Sequence, residues 1–249
     1  MIHGGAGVMV EPGSAQEQEY HATLERSLRA GAAILEAGGA SEEAVEAAVE
    51  VMEDSPLFNC AHGSSVTMGG QVEMDAAMMS GRSGAPTRAG AVSSATRVRN
   101  PIKAARKVLG DDRFVLLTAD GADDFAEDAG LVMEGPDYFI AEWRWDLHME
   151  HMPAELAAQK QRQQQQRQSR LQARQPVAVV ATESAGVTRA PRPELRFGTV
   201  GCVALDRSGN LCAGTSKDSP KRPVLRQFLF NAGHLPRQAR DKCNEESLN

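Results

Sequence analysis

From Gln159 to Gln175 the chain is built almost wholly of Gln and Arg, relieved only by Lys160, Ser169, Leu171 and Ala173. Nothing in this run can bury apolar surface, so a solvated, disordered linker is expected across 159–198. The run carries five positive charges, which would suit an RNA- or partner-binding arm. It has no aromatics on which bases could stack, however, and the whole chain is net −6. A general nucleic-acid binder needs the opposite balance. The linker also divides the chain. What can fold is a long segment, 1–158, and whatever follows residue 198.

The first segment reads as mixed α and β. A short strand at Ile2-His3 runs into the glycine loop Gly4-Gly5-Ala6-Gly7. Ser14 and Glu17 form a capping-box pattern, and Tyr20, Leu24, Leu28, Gly31 and Leu35 then fall on one helical face. Gly38-Gly39 stops that helix. Ser41 starts a second, with Ala44, Val45, Ala48, Val49 and Met52 at helical spacing, ending before Pro56. Two amphipathic helices in series are expected to cover a sheet.

Its strands follow. Ser64–Met68 and Gln71–Met74 around Gly69-Gly70 predict a hairpin, and Ala89–Ser94 and Phe114–Thr118 predict two further strands. Pro101 opens a helix to Gly110, Asp120–Gly130 reads as another, and Pro136 to about Leu156 as a third. Beyond the linker, Thr199–Asp206 and Leu211–Ser216 around a turn predict a buried hairpin on which Cys202 and Cys212 face each other as small core residues.

Several functions are disfavoured. No apolar run of membrane-spanning length occurs, and the start has neither the basic region nor the apolar stretch of a secretory signal. No membrane partner is therefore expected. Cys60, Cys202, Cys212 and Cys243 are far apart with no CxxC pair, which suits reduced thiols in the cytoplasm better than disulfides or zinc. His148 and His151 have a metal-like spacing without a nearby third ligand, so exposed helix histidines are expected and no catalytic metal.

Thr199 could carry chemistry if the chain were cut before it. A Thr hydroxyl is a weak nucleophile that needs a base. A freed α-amino group, with an unperturbed pKa of roughly 7.7–8.0, can be that base. Gly198 tolerates strained dihedrals at the cut, and the linker lets the new ends separate. Taken by itself, a Gly-Thr pair is equally an ordinary strand start.

Four separated motifs give the chain a resemblance. They are Ile2-His3-Gly4-Gly5-Ala6-Gly7; Pro56-Leu57-Phe58-Asn59; Val72-Glu73-Met74-Asp75-Ala76 with Arg88-Ala89-Gly90-Ala91-Val92; and Gly198-Thr199-Val200-Gly201 running through Asp206 to Gly209-Asn210-Leu211. In these the chain resembles the plant-type (type 2) L-asparaginase/isoaspartyl peptidase family of N-terminal nucleophile hydrolases. The resemblance implies an α+β fold, an αββα sandwich, and a precursor that cuts itself at Gly198-Thr199. The two pieces, an α-subunit within 1–158 and a β-subunit starting at 199–216, would then pair and associate as a dimer of αβ pairs. Thr199 would attack the side-chain amide of L-asparagine or a β-aspartyl peptide bond, with no cofactor. Asn59 would hold the freed amino group through its main chain, and Gly4 and Gly5 would lie beside the cut. The loop around Leu57–Ser65 would hold a structural sodium ion through carbonyls. Glu73 and Asp75 would shape the fold.

The departures from that pattern bear on activity. Family members continue Thr-Ser-Thr-Gly-Gly, and the second Thr is catalytic; here Lys217-Asp218 follows Thr215-Ser216. Of the segment whose Arg and Asp grip the substrate, only Asp218-Ser219-Pro220 has an echo, and the later Thr-Gly pair of the oxyanion hole has no counterpart. The basic stretch 217–249 reads as divergent. Residues 198–216 therefore resemble only the opening hairpin of a β-subunit, so the sandwich is expected to be incomplete and the chain truncated. Two functions remain open. One is the self-processing threonine hydrolase. The other is a catalytically inactive member that persists, uncut, as an interaction or regulatory chain, which Lys217 and the missing substrate groups favour.

Overall fold

The computed structural model describes residues 1–5, 10–67, 69–82, 84–150 and 198–218. The linker up to residue 197, His151 and Cys243 lie outside them. A strand β1 (Ile2–His3) is followed by α1 (Ala15–Glu36) and α2 (Ser41–Glu53). Next come β2 (Met74–Gly81), β3 (Arg88–Ala95), α3 (Pro101–Gly110), β4 (Leu116–Thr118) and α4 (Ala119–Asp128). The short α5 (Pro136–Phe139), α6 (Glu142–Glu150), β5 (Val200–Leu205) and β6 (Leu211–Asp218) complete the described chain. The strands form one six-stranded sheet in the order β1-β5-β6-β2-β3-β4. Its neighbours are antiparallel except β3 and β4.

The helices form where local chemistry supports them. Ser14 Oγ accepts the Glu17 N–H at 3.1 Å, and Glu17 Oε2 reaches back to the Gly13 N–H at 2.6 Å. The reciprocal half of the cap thus lands one residue earlier than the pattern predicts. The inward stripe of α1 is Thr23, Ser27 and Gly31, all buried, while Leu28 is 49% exposed. Small residues win there because α1 lies close on α2, with Ser27 Oγ bonded to Ala48 O at 2.7 Å. The stripe predicted on α2 is buried as expected. At α3, Pro101 occupies the first turn, where its missing N–H costs nothing, and Glu53 Oε1 accepts the Ile102 N–H at 3.0 Å.

Four sequence expectations shift. Thr67–Gln71 is a tight turn, closed by bonds between Thr67 and Gln71 and between Gly70 and Thr67, without flanking strands. The hairpin in this part of the chain is β2/β3. The segment after Pro136 breaks between α5 and α6 at Ile140-Ala141, and the strand predicted from Phe114 starts at Leu116. The hairpin β5/β6 runs two residues beyond Ser216, and its register pairs Cys202 with Gly214 and Ala204 with Cys212. The two thiols are therefore diagonal neighbours on one buried face.

That face packs against the helices. Val45, Ala48, Val49 and Met52 of α2 meet Met78, Val200, Cys202 and Cys212 of the sheet, with Ile102 and Leu109 of α3 alongside. A second cluster joins Ala76 and Val92 to Ala104, Ala105, Val108, Ala122 and Ala126. On the other face Met79, Leu116, Leu205 and Leu211 are each at least half exposed. Asp75 fastens the irregularity where β2 leaves register with β3. Its Oδ1 accepts from Ser93 Oγ at 2.8 Å and from the Ser94 N–H at 2.9 Å, where Ser94 turns to φ 53°. Glu73 lies just before the strand, so only Asp75 of the pair is carried by it.

Candidate active site

The Gly198–Thr199 bond lies where β5 enters the sheet, and two strands flank it. The β5 register pairs Gly201 with His3 and Val200 with Ser216. Continued by the alternation of a strand, it sets Thr199 between Gly5 and Lys217. Gly5 closes on the bond itself. It has φ 96°, and a Cβ there would sit 3.1 Å from Thr199 N and 3.2 Å from Gly198 Cα. Only glycine serves at that point. Gly4 does different work, its bare side lying under the Phe58 ring and Leu24.

Asn59 reaches the same bond through its side chain. Its Nδ2 donates to the Gly198 carbonyl at 3.0 Å and to Asp218 Oδ1 at 2.5 Å. Its Oδ1 accepts from Ser65 N at 3.0 Å and Ser65 Oγ at 2.8 Å. Two donors and two acceptors are all matched, which fixes the carboxamide's orientation. Its main-chain carbonyl accepts the Asp218 N–H at 3.3 Å. In this uncut chain the expected main-chain role is thus occupied, and the contact with the bond comes from the carboxamide.

The match to known proteins falls on this arrangement. A protein-family model described as Asparaginase covers residues 1–220, from β1 through the hairpin that carries Thr199. The chain belongs to the asparaginase family. It is 34% identical to an isoaspartyl peptidase of Salmonella typhimurium over 86% of this chain and 60% of that protein. It is 35% identical to an isoaspartyl peptidase/L-asparaginase of Mus musculus over 95% of this chain and 60% of that protein. The corresponding protein of Danio rerio is 32% identical over 87% of this chain and 58% of its own length. The chain therefore spans about three-fifths of the relatives it matches.

Within this member of the asparaginase family, the surroundings of Asn59 were the least visible in the sequence. Arg144 of α6 is 7% exposed. Its Nε donates to Gly63 O at 2.8 Å, its Nη1 approaches Ser65 Oγ at 3.5 Å, and its guanidinium stacks over Trp143. Asp218, 1% exposed, lies on the helix-covered side of the sheet. Burial pushes its carboxyl up to about 6, against the pull of the Asn59 amide and of Arg144. No sequence signal marks Ser65 or Arg144, because their roles depend on α6 folding back over residues 63–65.

Lys217 is on the Thr199 side, with Nζ 3.6 Å from Asp75 Oδ2. Cys60, Cys202 and Cys212 are buried free thiols whose pKa values burial raises, so none is poised as a nucleophile. His148 is half-buried against Trp145 rather than exposed. Among the described residues no group of His, Cys, Asp and Glu is arranged to hold a metal ion, and no helix is long and apolar enough to cross a membrane.

Proposed function

We propose that this chain is a precursor that cuts its own Gly198–Thr199 bond, and that the Thr199 so freed hydrolyses L-asparagine and β-aspartyl peptides. The observation that carries this reading is the Asn59 carboxamide on the Gly198 carbonyl at 3.0 Å. In the first stage Thr199 Oγ adds to the Gly198 carbonyl carbon, and charge develops on the oxygen that Asn59 Nδ2 holds. The C–N bond breaks, the hydroxyl proton passes to the departing amine, and Gly198 is left as an ester on Oγ. Water then releases it. In the second stage the α-amino group, basic near neutral pH, takes the Oγ proton as Thr199 attacks a substrate amide. Ammonia or an amine leaves, and water hydrolyses the acyl-enzyme.

The family relationship supports the substrate class, since the relatives from mouse and zebrafish are named isoaspartyl peptidase/L-asparaginase. The same reading includes the αββα sandwich and a dimer of αβ pairs. The bare outer face, with Leu205 62% exposed, is a surface that a second sheet would cover. It also includes the sodium ion. The carbonyls of Leu57 and Gly63 already accept from Tyr20 and Arg144, while Ser64 Oγ is buried with no hydrogen-bond partner among the described residues. Ser64 and the remaining carbonyls of 57–65 would hold the ion, which when bound supplies positive charge that fixes the Asn59 loop.

One observation favours a second reading, a chain that stays uncut, turns over no asparagine and acts as an interaction or regulatory chain. Lys217 stands beside Thr199, at the position where the resemblance implies a catalytic hydroxyl, and it is paired with Asp75. Mass spectrometry of the incubated chain, with ammonia release measured alongside, separates the two. The first reading expects pieces 1–198 and 199–249 together with ammonia, and Thr199→Ala should abolish both. An uncut chain that releases no ammonia selects the second, and scission without ammonia keeps only the self-cutting stage of the first.

A further inference from the structure

Asp218 is a residue of this neighbourhood that the reaction just described does not use. A strand end needs no carboxylate, and burying one is costly unless it is bonded. Yet Asp218 is 1% exposed and makes a two-point contact with a single residue. Its Oδ1 accepts from Asn59 Nδ2 at 2.5 Å, and its N–H donates to Asn59 O at 3.3 Å. The same Nδ2 carries the hydrogen that meets the Gly198 carbonyl.

We propose that Asp218 is a positioning residue for self-scission, holding one N–H of the Asn59 carboxamide so that the other stays aimed at the Gly198 oxygen. The proposal rests on the self-scission reading above. Ser65 fixes the oxygen end of the carboxamide, and Asp218 fixes the nitrogen end. Without an acceptor at 218 the second N–H is left buried and unpaired, and it competes for the Gly198 oxygen or draws the group off line. The role is geometric. A negative charge this close to a developing oxyanion is not itself helpful, and the Arg144 guanidinium offsets it. A neutral acceptor at 218 should therefore serve nearly as well.

The test measures the scission rate of the full chain by mass spectrometry, with thermal melting as the control for folding. Asn59→Ala should slow scission roughly a hundredfold or more, as loss of an oxyanion donor does elsewhere. Asp218→Ala should slow it about tenfold, and Asp218→Asn, which keeps an acceptor oxygen, should stay within about threefold of the parent. The double variant Asn59→Ala/Asp218→Ala should be no slower than Asn59→Ala alone, because Asp218 acts only through Asn59. If Asp218→Ala melts early, Asp218→Leu removes the acceptor at similar volume and carries the same expectation. A further tenfold loss in the Asn59→Ala background overturns the proposal, and so does Asp218→Asn cutting as slowly as Asp218→Ala or more than about threefold faster than the parent. A parent chain that never cuts removes the self-scission reading, and this one with it.

Discussion

On the inner face of the sheet, Ala76, Met78, Val92, Val200, Cys202 and Cys212 are at most 6% exposed beneath the helices. On the outer face Met79, Leu116, Leu205 and Leu211 are 50–62% exposed. The same strands build both. The inner face is where apolar area leaves water, and at about 25 cal/mol per Å² that burial carries the fold. The outer face is where Thr199 and Lys217 stand. Asn59 and Asp218 approach the Gly198–Thr199 bond from the buried side. Stability and the proposed chemistry are thus divided across a single sheet, and the two meet only at the Gly198 carbonyl.

The division can be broken by mutation, beginning where it should matter most. Met52 of α2 is fully buried in the inner cluster. Met52→Ala should cost about 2–5 kcal/mol in urea unfolding. A loss below about 1 kcal/mol would mean that the helix layer is not the stabilising one.

A somewhat smaller effect is expected at Glu53, buried beside α3, whose carboxyl burial pushes up to about 8 from 4.5. Between those values the unfolded chain releases the proton and the folded chain keeps it, so stability falls as pH rises from about 4.5 to 8. Glu53→Gln should flatten that part of the profile and raise stability near pH 8 by about 2–4 kcal/mol. An unchanged slope in melting temperature against pH would refute it.

The smallest effect belongs to the outer face. Leu205→Ser should change unfolding free energy by no more than about 0.5 kcal/mol while lowering the binding of a hydrophobic dye. A large destabilisation would show that the face is covered in solution.

How much of this was legible in the sequence depended on which forces act locally. The inner stripe of α2, the Pro101 start of α3 and the strands after Gly198 follow from periodicity and capping chemistry. Strand β2 did not, because Met-Asp-Ala-Ala-Met-Met-Ser-Gly has no β-branched residue and forms a strand only by lying between β3 and β6. The nearby Gly69-Gly70 gave a stronger local signal and proved to be a tight turn. In α1 the buried Thr23, Ser27 and Gly31 look like a polar face until α2 is placed against them. At the site, Thr199, Gly198, Gly5 and Asn59 were identified by motif, and the structure brings all four to one bond. The part played by Asn59's carboxamide was hidden because its partners Ser65, Gly198 and Asp218 come from three separate parts of the chain.

The strand order carries one more consequence. β5 and β6 are inserted between β1 and β2, so the piece that follows residue 198 has strands of the preceding piece on both sides. A cut at Gly198 would therefore liberate nothing: the severed hairpin stays laced into the sheet on both edges. It would, however, change the order of the folding reaction. The intact chain folds at a rate independent of its concentration, whereas the nicked protein, once melted, must find its other half by collision. Dilution would leave the intact form untouched and make unfolding of the cut form a one-way event.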